Sequence, residues 1–403
     1  MGRRAIITAA LAASLLGSGF AVPAAARDGR PPLLLGVPPA GGPGWLRELH
    51  PNTLRPVGPR RVQMRGYVEG LAARSPNGQR LALGVSARGR IQLVAARPLG
   101  ARGVIELGVR GSAGTLAWVA PRRLHALVQG ARGRWLVTVD PQSRRVLSRS
   151  EISGEVRAAA AAGPWLVAAL ARPGRIGPSS LLVAGPTGEP RVLPLGEVRS
   201  GFVPPPRDAD SGPPVAYEAT PGLAVDPASG HAYVAAPGRA LLLVDVDLAT
   251  GTRTVHLVGA PSVSTAKVSE GSQRSATWLG AGVLAVAGSE TTARDGRVRP
   301  YGVRLLDTAN WTQRALSDED WFVAGAVSPL VIVPERDGLV SAYDRAGTRL
   351  WRFRAGGTIG DVRTIDGRVL VTHWRRHRTS VLDGATGRRL RVLPTARLPL
   401  IVG

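Results

Sequence analysis

Hydrophobic positions along this chain fall in short runs, each broken by a turn. Leu241–Gly259, LLLVDVDLATGTRTVHLVG, shows the plan: an apolar run with Asp near its end, a turn holding Gly, an Arg, and a second apolar run. Ser341–Gly357, Ser380–Pro394 and Leu136–Ile152 are partial copies. Short runs bounded by Gly, Asn and Asp predict strands joined as hairpins. A second kind of hairpin occupies Glu69–Val85, Gly222–Ala236, Ser275–Gly288 and Ile359–Trp374. In it a short strand, a tight turn and a strand of small apolar residues follow one another, and turns such as Asn77-Gly78 and Asp366-Gly367 tolerate positive φ.

The two kinds alternate. The small-residue hairpins fall near 69–85, 113–129, 156–170, 222–236, 275–288, 322–333 and 359–374; the others fall near 91–107, 135–152, 181–195, 241–258, 302–316, 339–354 and 380–394. The period, roughly 40 to 50 residues, is that of a four-stranded blade. One such sheet cannot bury both faces, whereas a ring of them covers each face with a neighbour. The expectation is an all-β fold, a β-propeller of seven four-stranded blades, with six or eight left open. First strands rich in Ala and Gly suit the crowded axis, and the nine Trp suit packing between blades. The extra hairpin Trp45–Gly58 is the natural candidate for closing the ring by N-terminal strand pairing into the last blade.

Three stretches carry a resemblance. Ser75–Leu83, SPNGQRLAL, resembles the SPDG turn of WD40-like and YVTN-type repeats, and His231–Gly259 is similar to a YVTN blade in nearly every feature. Gly338–Phe353, GLVSAYDRAGTRLWRF, resembles the Trp-containing blades of quinoprotein-type propellers. The resemblance implies a secreted propeller repeat protein of high-GC bacterial type. It implies a fold and no particular activity.

Charge changes the picture. The net charge is +24, and of the 52 basic residues only Lys267 is a lysine. A GC-rich coding bias accounts for part of this; the remainder attracts anionic polymers. With no Cys, disulfides, thiolate zinc sites and a thiol nucleophile are excluded. Arg3 and Arg4, the apolar stretch Ala5–Val22 and Ala24-x-Ala26 predict a signal peptide over 1–26, exported by the Sec or twin-arginine route. Cleavage after Ala26 takes the charge to +22, since Arg3 and Arg4 leave with no acid. Residues 27–44 read as a Pro/Gly-rich linker and 45–403 as one propeller domain, secreted, monomeric and without a membrane span in the mature chain.

Candidate chemistry is sparse. The Asp residues before the turns (Asp140, Asp245, Asp247, Asp307, Asp344, Asp383) read as turn caps. No G-x-S-x-G, Walker A or dinucleotide motif occurs, and His373 and His377 are too weakly placed to predict a metal. No cofactor is expected. In a four-stranded antiparallel blade, the links between second and third strands and between blades share one face. The long connections, 171–180, 198–219, 260–275 and 289–302, all fall there. The same face carries Arg172, Arg175, Arg294, Arg299, Arg336, Arg375, Arg376 and Arg378, a candidate set for carboxylate or phosphate groups. The expected function is a secreted binding or scaffold propeller engaging a protein or an anionic envelope polymer through this face, with nucleic acid less favoured. The alternative is a propeller hydrolase, lactonase or lyase with a central pocket there.

Overall fold

The computed structural model describes residues 33–36, 45–50, 55–64, 72–85, 88–203, 217–238, 241–258, 271–291, 298–318, 323–393 with short breaks, and 400–402. The chain opens with β1 (Leu33–Gly36), β2 (Trp45–Leu49) and β3 (Pro56–Gln63). Unit 1 is β4 (Ala72–Arg74), β5 (Arg80–Val85), β6 (Arg90–Ala95) and β7 (Gly100–Glu106). Unit 2 is β8 (Ser112–Ala120), β9 (Arg123–Gly130), β10 (Gly133–Asp140) and β11 (Arg145–Glu151); unit 3 is β12 (Glu155–Ala162), β13 (Trp165–Ala171), β14 (Gly177–Ala184) and β15 (Arg191–Val203). After a short β16 (Tyr217–Thr220), unit 4 is β17 (Gly222–Asp226), β18 (His231–Ala235), β19 (Leu241–Asp247) and β20 (Arg253–Val258). Unit 5 is β21 (Gly271–Gly280), β22 (Val283–Thr291), β23 (Val298–Asp307) and β24 (Gln313–Ser317); unit 6 is β25 (Gly325–Val327), β26 (Leu330–Glu335), β27 (Leu339–Tyr343) and β28 (Arg349–Arg354). Unit 7, β29 (Ile359–Ile365), β30 (Arg368–His373), β31 (Arg378–Asp383) and β32 (Arg389–Leu393), precedes the last strand, β33 (Leu400–Val402).

The expected count of seven blades is corrected. Five blades, units 1, 2, 4, 6 and 7, are separate sheets of four consecutive strands. Units 3 and 5 are fused through β16 into one nine-stranded sheet, and the chain ends form a further four-stranded sheet in the order β3-β2-β1-β33. Closure differs from the expected pairing of an N-terminal strand into the last blade. Unit 7 already has four strands, so the leftover N-terminal hairpin builds its own sheet, and the C-terminal strand completes it. Leu33, Leu34 and Leu35 pair antiparallel with Val402, Ile401 and Leu400. That uses Leu33–Gly36 as a strand, inside the stretch read as linker.

The core confirms why the hairpins repeat. Among the described residues, the hydrophobic clusters lie between successive units rather than within one. Ile91, Leu93 and Ile105 of unit 1 meet Leu116, Trp118 and Val137 of unit 2; Val183 and Leu195 of unit 3 meet Val225 and Val244 of unit 4. Leu46 and Val62 of the closing sheet pack on Leu81 and Leu83 of unit 1 in the same way. Innermost strands approach closely, which explains their small residues: a Cβ on Gly222 of β17 would come within 2.8 Å of the Ser275 carbonyl carbon of β21.

Five of the turns before outer strands carry the Asp caps expected. Asp140, Asp247, Asp307, Asp344 and Asp383 each accept backbone N–H groups of their own turns, at 2.8 Å from Gln142, 2.7 Å from Ala249, 2.8 Å from Ala309, 2.7 Å from Thr348 and 2.9 Å from Thr386. Asp245 is different and lies 2.6 Å from His231 Nδ1.

Candidate functional site

The repeat breaks on the long-loop face, between units 3 and 5. β15 runs on past its own hairpin, and Gly201–Val203 pair antiparallel with β16. On its other side β16 pairs parallel with Gly271–Gln273 at the start of β21. A strand therefore bridges two units beside the entry of β17. The buried Ser179 and Ser200 hydroxyls, 2.6 Å apart, pin the point where β15 turns into this bridge. A Cβ on Gly201 would meet the Arg175 carbonyl oxygen at 2.0 Å, so the candidate link 172–176 lies directly against it.

The bridge gathers charged side chains from the starts of inner strands. Arg157 of β12 donates through Nη2 to Glu218 of β16, and to Thr220 Oγ1 at 3.1 Å. Thr220 Oγ1 donates to Glu218 at 3.0 Å, and Gln273 of β21 donates to the other Glu218 oxygen at 3.1 Å. Glu155 lies 3.8 Å from Arg157 and 3.9 Å from Arg134 of β10. Two guanidinium groups thus face two carboxylates, all partly reached by solvent. Arg157 Nε is buried and has no hydrogen-bond partner. Beside it in unit 5, Arg274 is fully buried, bonded to Glu290 at 2.7 Å and stacked 3.7 Å from the Tyr301 ring. Burial pulls the Arg274 guanidinium down from its usual range, and Glu290 opposes that. Farther round, Asp361 at the start of β29 is pushed up by burial against the pull of Arg363, 3.1 Å away.

The predicted arginines are only partly gathered. Arg172 and Arg175 are exposed on the unit 3 link, and Arg376 and Arg378 are exposed at the unit 7 link, four units away. Arg299 lies on β23 and Arg336 just after β26, on the same face. Arg294 and Arg375 lie outside the described residues, as do His377 and the signal segment 1–26. The residues brought together are others: Arg134, Glu155, Arg157, Glu218, Thr220 and Gln273. A signal existed for two of them, since Glu155-x-Arg157 opens a strand that is otherwise Val and Ala. Among the described residues no group of three potential metal ligands occurs.

The opposite face holds aromatic packing. Tyr233 stacks 5.4 Å from Trp278, and Trp311 stacks 3.7 Å from His256 across units 4 and 5. Burial, with Asp245 and Asp226 nearby, pushes Tyr233 up to about 12. Trp311 takes a left-handed φ of 58°, at the turn position where Gly251, Gly347 and Gly387 stand in other units. The same face has an open cleft of about 490 Å³ lined by Arg122, Arg123, Asp140, Leu147 and Pro186. Its charges are committed: Arg122 pairs with Asp140 at 2.7 Å, and Arg123 donates to the Pro186 carbonyl at 3.5 Å.

Solved structures share this fold. The dihydro-heme d1 dehydrogenase NirN, in complex with DHE, superposes with a TM-score of 0.61 over 94% of this chain and 78% of its own, at 16% identity. The fold is that of the β-propellers. AztD from Citrobacter koseri gives 0.53 over 92% of this chain and 96% of its own, at 12% identity. Sqt1 of Saccharomyces cerevisiae gives 0.50 over 82% and 86%, at 10% identity. At these identities the likeness shows the fold alone. No family model matches the sequence, and no curated protein matches it.

Proposed function

We propose that the protein is an exported, monomeric binding propeller that receives a protein or an anionic envelope polymer on its long-loop face. One observation carries the reading. The only place among the described residues where two units are joined by an added strand is on that face, and it brings Arg134, Arg157, Glu155 and Glu218 together with part of each side chain exposed. A mixed array of charged donors and acceptors, solvent-reached and held by its own hydrogen bonds, recognises polar chains by complementarity. The exposed Arg172, Arg175, Arg376 and Arg378 extend the face with positive charge. Export rests on the charged and apolar N-terminal segment and Ala24-x-Ala26. Among the described residues no helix is long and apolar enough to cross a membrane.

The test is binding to a wall-type anionic glycopolymer and to nucleic acid across a salt series. Arg172, Arg175, Arg376 and Arg378→Gln, together, lower affinity and flatten the salt slope. Arg97, Arg102, Arg144 and Arg145→Gln on the opposite face leave both unchanged. Equal loss in the two variants would make the charge non-selective and overturn the polymer form of the reading.

A further inference from the structure

The outer strands carry most of the exposed cationic surface. Each of the outer strands β3, β7, β11, β15, β20, β24, β28 and β32 has at least one exposed Arg. All the exposed large hydrophobic residues among those described, Val57 to Val392, also lie on outer strands. On most of these strands the guanidinium groups are isolated or already committed across units. Arg149 donates to the Leu107 carbonyl at 2.6 Å and Arg191 to the Ala249 carbonyl at 2.8 Å, while Arg61 stacks 4.2 Å over Trp45 within the closing sheet.

Units 6 and 7 differ. β28 reads R-L-W-R-F-R and β32 reads R-L-R-V-L, so cationic and aliphatic positions interleave. The two strands are neighbours through Trp351, whose Nε1 donates to the Gly384 carbonyl at 2.9 Å in the turn that leads to Arg388. Leu350, Leu390 and Val392 are 52%, 44% and 38% exposed. Counter-charge is scarce: Glu335 is bonded to Arg352, while Asp383 is turned onto its own turn. Arg354, Arg388 and Arg389 are exposed, and no ion pair holds them among the described residues.

We propose that this band on units 6 and 7 is a peripheral docking surface for an anionic lipid layer. Guanidinium groups pair bidentately with phosphodiester headgroups, and three exposed aliphatic side chains between them enter the headgroup boundary. A hydrophilic polyanion would use the arginines and gain nothing from Leu350, Leu390 and Val392, so charge complementarity together with the aliphatic interleaving favours lipid. The inference is independent of the loop-face reading, because none of its residues belongs to that face's test set.

The experiment uses the chain from Arg27 on, which contains every strand described, with phosphatidylcholine vesicles that contain or lack phosphatidylglycerol. Co-sedimentation is expected with the anionic vesicles only. Arg354, Arg388 and Arg389→Gln weaken it by about tenfold or more, and Leu350, Leu390 and Val392→Ser weaken it several-fold at unchanged charge. Arg60, Arg102 and Arg145→Gln, a charge-matched change elsewhere on the rim, leaves it intact. Circular dichroism and thermal melts confirm that each exposed-residue variant is folded. Equal loss in the charge-matched control would overturn the proposal. So would full binding by the aliphatic variant with equal competition from a soluble polyanion, which would make the band a polymer site. Loop-face variants that lose polymer but keep vesicles separate the two readings.

Discussion

Replacing Glu290 by Gln removes one charge and almost no volume at the most deeply buried ion pair among the described residues. Arg274 has no exposed side-chain surface, and Glu290 is one-fifth exposed. The guanidinium also donates to the carbonyls of Gln273 at 3.0 Å, Ser289 at 3.3 Å and Gly238, and it stacks on Tyr301. Breaking a buried pair by removing one partner costs about 3–5 kcal/mol, because the other charge stays behind without compensation. Here three carbonyls and a ring remain, and Glu290 keeps some solvent, so about 2 kcal/mol is expected at 25 °C. Arg274→Met should cost about as much, through the lost carbonyl bonds and cation–π contact, including the tie to unit 4 at Gly238. The double variant should cost less than the sum of the singles by about 1 kcal/mol, since residues in contact couple. Urea unfolding followed by circular dichroism measures all three. A Glu290→Gln cost below about 0.5 kcal/mol, or strict additivity, would refute the view that this pair holds a buried charge in place.

Other expectations follow from the same geometry. Burial lowers His125 and His373 from the ordinary histidine range. Unfolding at mildly acid pH then takes up protons, so stability is full above about pH 6.5 and falls as pH drops below it. Melting temperature from pH 7.5 to 5 should show this, and His125→Gln should reduce the slope; a flat profile in the wild type would contradict it. Burial alone would raise Asp140, but its bonds to Arg122, Gln142 and Ser143 outweigh that and hold it at about 2. Its contribution is present above about pH 3.9 and disappears as pH falls toward 2, and Asp140→Asn should be insensitive to that window. Arg191 donates to the carbonyls of Leu248, Ala249 and Thr250 from two guanidinium nitrogens; Arg191→Lys should therefore lose about 1 kcal/mol, nearly as much as Arg191→Ala, because a single ammonium nitrogen cannot stand at both positions. Wild-type stability in the Lys variant would count against the inter-unit role of the arginines. Trp311→Gly relieves a left-handed backbone worth about 1–2 kcal/mol but loses the His256 and Tyr233 contacts, with a net loss of about 1 kcal/mol expected. A more stable glycine variant in thermal melts would show that the ring is not kept for packing.

The hairpins were legible because a period-two apolar run bounded by Gly, Asn or Asp has few other folds open to it. Their alternation, and the turn caps at Asp140, Asp247 and Asp383, follow from local chemistry alone. The number of separate blades was not legible, for a physical reason. Whether Leu33–Gly36 is linker or strand depends on Leu400–Val402, more than 350 residues away, and no local pattern encodes that pairing. The candidate site escaped for the same reason. Arg157, Glu218 and Gln273 meet only because β16 crosses between two units, and Glu218 sits in a stretch that reads as irregular loop. Guanidinium groups do bond to oxygen acceptors here, but many of the acceptors are carbonyls of the neighbouring unit.

The proposed recognition takes place where β16 bridges units 3 and 5. Hydrogen exchange of the chain with and without its bound polymer or protein partner tests it most directly. Added protection at 133–135, 154–158, 172–177, 217–221 and 271–274 is the predicted result. Protection confined to the opposite turns, 141–144 and 384–388, or spread evenly around the ring, would contradict it.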